Sequence, residues 1–180
     1  MMTRSIGGRK VVAGTAPPPP RVEPGPGQES VWDYPRPPRV EAVPERLRVI
    51  VDGVVLADTT RGRRVLETAG PPVYYFPPED VRLDLLEPSP HWSVCEWKGE
   101  ASYHSYAAGG RRIDNVAWSY RKPNPGYEAI SDHLAFYASR VDEAWVGDER
   151  AVPQAGHFYG GWITSRVVGP FKGDPGTQGW

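Results

Sequence analysis

The residues best suited to chemistry begin at Cys95, the first residue of the stretch CEWKGEASY. A cysteine thiol becomes a nucleophile when a neighbouring group lowers its pKa, and His91, His104 and His133 are candidates for the accompanying base. The alternative is that Cys95 is a small buried apolar residue, as an unpaired cysteine usually is. Both interpretations of Cys95 stay open from the sequence.

Lys98 is the second candidate, because it ends a strand pattern and is followed by Gly99. Alternation along a strand puts Cys95 and Trp97 on one face and Glu96 and Lys98 on the other. An ammonium at a strand end is well placed to meet an anionic group. The alternative is an exposed lysine that precedes a tight turn.

A third group of candidates combines aromatic rings with one carboxylate. Asp114, Trp118 and Tyr120 have the same parity along the next strand pattern, and Tyr103 lies on the strand before it. Four such side chains on one face would form an aromatic box with one acid, which suits a planar or cationic ligand. An ordinary aromatic core is the competing interpretation.

The elements that must position these residues are short strands. LRVIVDGVVLADT predicts a hairpin that turns at Asp52-Gly53, and the chain from His91 to Tyr120 predicts three strands. The turns between those three strands are expected at Lys98-Gly99 and Gly109-Gly110. One helical turn is predicted in EDVRLDLLEPS. The fold class is therefore mostly β.

Composition sets the domain limits and excludes several classes of protein. Many of the 21 prolines are early, so residues 1–28 are expected to be a disordered tail and residues 29–180 a single β-domain with its core at about 46–150. The net charge of −1 argues against a nucleic-acid binder. No apolar run is long enough for a membrane span, and no secretory signal is recognised, so a cytoplasmic protein is expected.

Several ordered blocks resemble a known family. VDGVVLADTTRG, LETAGPPVYYFPPEDVRLDLLEPS, CEWKGEASY, NVAWSYRKPNP and HLAFYASRVD are similar, in this order, to the domain-of-unknown-function family 427. The flanking sequences resemble its single-domain branch. The resemblance covers roughly Glu29 to Trp180 and implies a compact antiparallel domain similar to the β-tent folds, in which two sheets meet at an angle. The short helical turn and the extended Pro-rich N-terminal tail complete the predicted fold.

The resemblance also bears on function. Some β-tent relatives hold zinc with two cysteine pairs, which this chain cannot supply because it has one cysteine. Other relatives bind small planar ligands in an aromatic cage, a part that the resemblance assigns to Trp97, Tyr103, Trp118 and Tyr120. Members of the family have also been labelled nucleotidyltransferases.

Three functions follow as hypotheses. The first is a binding domain that takes a small planar or anionic molecule in an aromatic pocket, with Lys98 on the anionic group. The second is an enzyme, either a Cys95-based catalyst or a Mg²⁺-dependent nucleotidyltransferase with Lys98 and Arg111 or Arg112 on phosphate and Asp114 on the metal. The third is an interaction module that recruits a partner through the Pro-rich N-terminus. No cofactor or protein-only metal site is expected, except Mg²⁺ under the transferase hypothesis.

Overall fold

The structure is a computed structural model that describes residues 20–180. Most of the predicted N-terminal tail therefore lies outside the described residues. The chain forms short strands joined by turns and single 3₁₀ turns. The strands, in order, are β1 (Glu29–Ser30), β2 (Arg39–Ala42), β3 (Leu47–Val51), β4 (Val54–Thr59), β5 (Arg63–Leu66), β6 (Val73–Tyr75), β7 (Leu86–Cys95), β8 (Gly99–Ala108), β9 (Arg111–Ser119), β10 (Leu134–Phe136), β11 (Glu143–Val146), β12 (Glu149–Arg150), β13 (Val152–Pro153), β14 (Trp162–Ile163) and β15 (Val167–Val168). The 3₁₀ turns are Val31–Asp33, Pro78–Asp80, Leu83–Leu85 and Glu128–Ile130.

The sheet that carries most candidate residues has the strand order β10-β9-β8-β7 and is antiparallel throughout. Its three long strands are the three that the sequence predicts. Gly99 has a φ of 105° and Gly110 a φ of 78°, conformations that favour glycine, so the two predicted turns form where expected. Tyr103 and Trp118 are directly opposite each other across β8 and β9.

A second antiparallel sheet has the order β12-β11-β3-β4, and a third has the order β2-β5-β6. The predicted hairpin joins β3 and β4, with φ of 53° at Asp52 and 73° at Gly53, as a two-residue turn of the type I′ class requires. The third sheet joins the first through Phe76, whose backbone N–H donates to the Leu134 carbonyl at 2.8 Å.

Two hydrophobic clusters lie on opposite faces of the first sheet. Ala117 belongs to the main core, which the second sheet covers, whereas its neighbour Trp118 belongs to a second, aromatic cluster. Alternation along β9 explains the difference, because successive side chains point to opposite faces. The aromatic cluster also takes Val65 from β5 and Tyr75 from β6, so the third sheet covers this face.

The segments that flank the strands pack onto the domain. Trp162 of β14 is fully buried in the main core, and β15 pairs in parallel with β1. Within the described part of the predicted tail, the Val22 N–H donates to the Gly169 carbonyl at 3.0 Å. The division of the chain into tail and domain at residue 28 stays a prediction.

The mostly β fold class is confirmed, since 45% of the described residues are in strands and 7% are helical, in lone 3₁₀ turns. The predicted helical turn in EDVRLDLLEPS is observed as Pro78–Asp80 and Leu83–Leu85. No helix among residues 20–180 is both long and apolar enough to cross a membrane. The likeness to the β-tent folds stays a prediction.

Candidate functional site

A cavity of about 300 Å³ opens at the aromatic cluster, between the first and third sheets. Eight of its 22 lining residues are aromatic, and two lysines and two glutamates also line it. The lining residues are Val65, Glu67, Thr68, Gly70, Pro71, Val73, Tyr75, Ser93, Val94, Cys95, Glu96, Trp97, Lys98, Tyr103, Trp118, Tyr120, Tyr137, Gln154, Phe158, Tyr159, Gly160 and Lys172. This volume lies at the lower end of the range for small-molecule sites, so the cavity has space for a molecule of one or two rings.

Five of the residues that the sequence proposes for an aromatic ligand site line this one cavity, namely Trp97, Lys98, Tyr103, Trp118 and Tyr120. Cross-strand pairing brings Tyr103 and Trp118 together. The ring of Tyr137 packs on Trp118 with the ring centroids 4.6 Å apart. The structure thus gathers the predicted aromatic rings around a space, although ligand binding by them stays a prediction.

Lys98 is half-buried at the cavity, with its Nζ 5.8 Å from the centroid of the Tyr120 ring. The turn that carries Lys98 is fixed by Asn124, whose backbone N–H donates to the Lys98 carbonyl at 2.9 Å. The Asn124 side chain also donates to the Trp97 carbonyl at 3.2 Å. Among the described residues, Lys98 takes part in no ion pair. Its charge is therefore available to a ligand.

The other lysine of the cavity is already engaged. Lys172 Nζ lies 5.0 Å from the centroid of the Tyr159 ring and donates to the Trp180 main-chain oxygen at 3.4 Å. Glu67, one of the two acids, pairs with Arg36 at 3.6 Å. Lys98 is consequently the cation best placed to attract an anionic group.

Cys95 lines the cavity and is half-buried, but the structure does not bring a histidine into the lining with it. His91 packs against the Tyr103 ring, with centroids 4.4 Å apart. His104 is hydrogen-bonded to Ser119 Oγ at 3.0 Å, and His133 contacts the Ser131 carbonyl at 2.9 Å. Each of the three candidate bases contacts another group, and none of them lines the cavity with Cys95. A catalytic role for Cys95 stays a prediction.

Asp114 lies outside the cavity. Its side chain is 74% exposed and accepts a hydrogen bond from Arg112 Nε at 2.8 Å. The β8–β9 ladder is interrupted between Asp114 and Trp118, where Asn115 has a φ of 50° and its N–H donates to Ser105 Oγ at 3.1 Å. This irregularity breaks the regular spacing on which the shared face of Asp114 and Trp118 was predicted.

The proposed phosphate ligands are also paired. Arg111 contacts Asp52 and Asp142, and Arg112 contacts Glu87 as well as Asp114. No group of three or more His, Cys, Asp or Glu side chains suited to a metal ion occurs among residues 20–180.

The tyrosine hydroxyls around the cavity are neutral hydrogen-bonding groups. Burial raises the pKa of Tyr75, Tyr120 and Tyr137 above its usual value. Tyr103 Oη and Ser93 Oγ are hydrogen-bonded at 2.8 Å, and Tyr137 Oη donates to the Phe158 carbonyl at 3.1 Å. The walls can therefore donate hydrogen bonds at neutral pH without carrying charge.

Sequence reasoning did not identify several cavity residues. Tyr75 ends β6 and Tyr137 directly follows β10, but no local signal in the sequence places either ring against Trp118. Phe158, Tyr159 and Gly160 belong to the C-terminal segment, whose glycines and aromatic rings do not indicate by themselves which face they cover. Their assignment to one cavity requires the contacts between sheets.

These features define an antiparallel β-domain with an aromatic cavity of small-molecule size. The chain belongs to the family described as Domain of unknown function (DUF427), whose model matches residues 39–147. No curated protein matches the chain. The cavity wall formed by Gln154, Phe158, Tyr159, Gly160 and Lys172 lies beyond the matched residues.

Proposed function

We propose that this protein binds a small planar molecule with an anionic group in the aromatic cavity. The observation that carries the proposal is the juxtaposition of unpaired Lys98 with a ring of buried aromatic side chains around a space of about 300 Å³. The proposal is one of binding and includes no chemical step.

The planar part of the ligand follows from the walls. Trp118 belongs to β9 of the first sheet, Tyr120 directly follows that strand, and Tyr75 belongs to the third sheet. The Tyr75 ring centroid lies 6.5 Å from each of the other two, edge-on to Trp118 and tilted against Tyr120. Aromatic walls favour flat ligands, because offset stacking and edge contacts add about 0.5–1.5 kcal/mol per pair beyond burial. A planar heteroaromatic ring meets these contacts better than a flexible chain.

The anionic group of the proposed ligand is inferred from Lys98. A half-buried ammonium without a carboxylate partner gains an ion pair when an anionic ligand arrives. Hydrogen bonds to charged groups contribute about 1.5–3 kcal/mol, enough to select acids over their neutral amides. A free metabolite of this kind also fits the cytoplasmic location expected from the sequence.

The test is a titration of purified protein with planar aromatic carboxylates and with their neutral amides. Calorimetry or intrinsic tryptophan fluorescence measures the binding. Lys98→Met should weaken binding of the acids about tenfold and leave the amides unchanged. Lys122→Met is the matched control, because Lys122 is exposed and does not line the cavity. Equal affinity for acids and amides in the wild type would remove the role of Lys98.

Trp97 provides a second variant for the aromatic walls. Trp97 is half-buried, so Trp97→Ala perturbs the fold less than substitution of Trp118, which is buried in the aromatic cluster. We expect Trp97→Ala to lower affinity for acids and amides alike. Full retention of binding by a folded Trp97→Ala protein would place the ligand elsewhere.

The transferase hypothesis corresponds to the family's short label, NTP_transf_9. It requires carboxylates that hold Mg²⁺ on the phosphates, and Asp114 is the residue that the sequence offers. The titration therefore includes nucleoside triphosphates with and without Mg²⁺. Mg²⁺-dependent nucleotide consumption that Asp114→Asn abolishes would favour this alternative over simple binding.

A further inference from the structure

Tyr75 lies at the end of β6 and is the only fully buried tyrosine among the residues that line the cavity within the described chain. Its relative exposure is 0%. Trp118 meets its ring edge-on at an interplanar angle of 85°. The Tyr75 ring is thus held between the first and third sheets, on the inner side of the cavity.

The Tyr75 hydroxyl is buried and has no hydrogen-bond partner within residues 20–180. The Trp118 indole N–H lies near this hydroxyl and acts to lower its pKa, against the larger effect of burial, but the two groups do not meet hydrogen-bonding geometry. A tryptophan N–H is a donor only, so it could not accept the Tyr75 proton in any geometry. What the hydroxyl lacks is an acceptor.

A buried hydroxyl without a hydrogen-bond partner lowers the stability of the folded protein by about 1–3 kcal/mol. Each such group in a native protein therefore needs an explanation. Elsewhere around the cavity the hydroxyls of Tyr103 and Tyr137 have partners. Arg48 Nε and Trp145 Nε1 are also buried without partners, but neither residue lines the cavity. Tyr75 is therefore the lining residue whose side-chain polar atom is fully buried and has no partner within residues 20–180.

We infer that Tyr75 is a specificity-determining residue that donates a hydrogen bond to an acceptor atom on the ring of the ligand. The inference rests on the proposed function and narrows it. The ligand class becomes a planar heteroaromatic acid that carries a ring nitrogen or carbonyl oxygen remote from its anionic group.

The positions of Tyr75 and Lys98 support two contacts with one ligand. Both lie against the same ring: the Tyr75 centroid is 6.5 Å from that of Tyr120, and Lys98 Nζ is 5.8 Å from it. A ligand that lies along the Tyr120 ring would have its anionic group near Lys98 and its far edge near Tyr75. A molecule of one or two fused rings has the length for this arrangement, in agreement with the cavity volume.

The test compares probes that differ by one acceptor atom. The reference probe is 2-naphthoate, a flat bicyclic acid without a ring acceptor. Its partners are the quinoline and isoquinoline carboxylates in which nitrogen replaces one C–H of the ring remote from the acid group. We expect wild-type protein to bind at least one aza acid about fivefold more tightly than 2-naphthoate, the ratio that a net hydrogen bond of about 1 kcal/mol gives.

Tyr75→Phe should abolish this preference while it leaves the affinity for 2-naphthoate within about twofold. Because the substitution removes an unsatisfied hydroxyl, the ligand-free protein should remain as stable as wild type or become more stable. Tyr127→Phe is the matched control. Tyr127 belongs to the same aromatic cluster but donates to the Pro38 carbonyl at 2.9 Å and does not line the cavity. It should lose stability and keep the preference.

The outcomes separate this inference from the proposed function. Binding of the acids with no preference for a ring acceptor, or a preference that survives in Tyr75→Phe, would overturn the role of Tyr75 alone. Failure of every probe to bind wild-type protein would overturn both proposals.

Discussion

Gly160 lies so close to the six-membered ring of Trp118 that a side chain does not fit between them. A methyl group at Gly160 would come within 2.1 Å of Trp118 Cη2 and 2.7 Å of Trp118 Cζ3. The backbone of Gly160 is not in the left-handed region, so the requirement for glycine is steric. The C-terminal segment thus closes one side of the cavity by direct contact of its backbone with the indole.

The first prediction follows from this contact. Gly160→Ala should displace Trp118 or the segment, because Tyr75 and Tyr137 already pack on the indole. We expect a loss of about 1–3 kcal/mol in the free energy of unfolding, which is typical of an overpacked core, together with weaker binding of planar acids. Chemical denaturation and probe titration measure the two effects.

Gly25→Ala is the matched control for that substitution. A methyl group at Gly25 meets only the side-chain oxygen of Gln28, at 3.3 Å, a contact that a shift of a few tenths of an ångström relieves. The control should keep both stability and affinity. Wild-type behaviour of Gly160→Ala would mean that the segment does not form this wall in solution.

The second prediction concerns Trp162, which lies beyond the residues that the family model matches. Its ring is buried in the main core, packs on Tyr74 with centroids 5.2 Å apart, and donates to the Phe136 carbonyl at 2.9 Å. Trp162→Ala should therefore cost about 3–5 kcal/mol of stability, as for other large-to-small core changes. Urea denaturation, monitored by circular dichroism, measures this loss of stability.

Trp92 is the matched position for Trp162, because its side chain is exposed and lies outside the core clusters. Trp92→Ala should change stability by no more than about 0.5 kcal/mol, the usual range for a surface substitution. Similar losses of stability in Trp162→Ala and Trp92→Ala would contradict the assignment of Trp162 to the core.

The strands could be predicted because their signals are local. The Asp52-Gly53 turn and the glycines at 99, 109 and 110 mark chain reversals, and alternation along β8 and β9 places Tyr103 and Trp118 on one face. The sequence therefore named wall residues that the structure brings together. Ligand binding by these residues stays a prediction.

The remaining parts of the site depend on contacts between residues that are far apart in the sequence. Tyr75 reaches the cavity because the third sheet covers the aromatic face, and strand alternation in VYYF carries no information on that packing. Asp114 was grouped with Trp118 by parity, but the irregularity at Asn115 interrupts the ladder between them. A bulge of this kind has no clear signature in the residues RIDNVAW.

The third prediction concerns His104, whose pKa is held below its usual value by burial and by the nearby charge of Arg121. The unfolded chain therefore takes up this proton more readily than the folded protein. The stabilising contribution of neutral His104 is present above about pH 6.5, the unfolded value, and is lost as the pH falls through the lower folded pKa. Thermal stability should decline between about pH 7 and pH 5.

His104→Gln removes the titrating group and can keep a hydrogen bond to Ser119. The variant should show a smaller decline in Tm over this pH interval than wild type. His157→Gln is the control, because His157 is exposed on the C-terminal segment. If the Tm of His104→Gln declined as steeply as that of wild type, the pH dependence would belong to other groups.

The fourth prediction concerns the contact between Glu29 and Arg64, which ties β1 to the third sheet. Arg64 Nη2 lies 3.0 Å from Glu29 Oε1, and Tyr34 Oη donates to Glu29 Oε2 at 2.7 Å. The hydrogen bond from Arg64 is the main cause that lowers the pKa of Glu29 below its usual 4.5. The ionised form of Glu29 is therefore favoured in the folded protein.

Because the folded pKa is depressed, the contribution of Glu29 to stability is complete above about pH 4.5 and is lost as the pH falls through the folded value. Glu29→Gln should be less stable than wild type at pH 7, and the difference should shrink as the pH is lowered from about 5 towards 3. Thermal unfolding at a series of pH values gives this difference. Glu100→Gln, an exposed site on β8 with no ion pair among the described residues, should follow wild type throughout. A difference between Glu29→Gln and wild type that stays constant down to pH 3 would show that the carboxylate charge does not contribute to the contact.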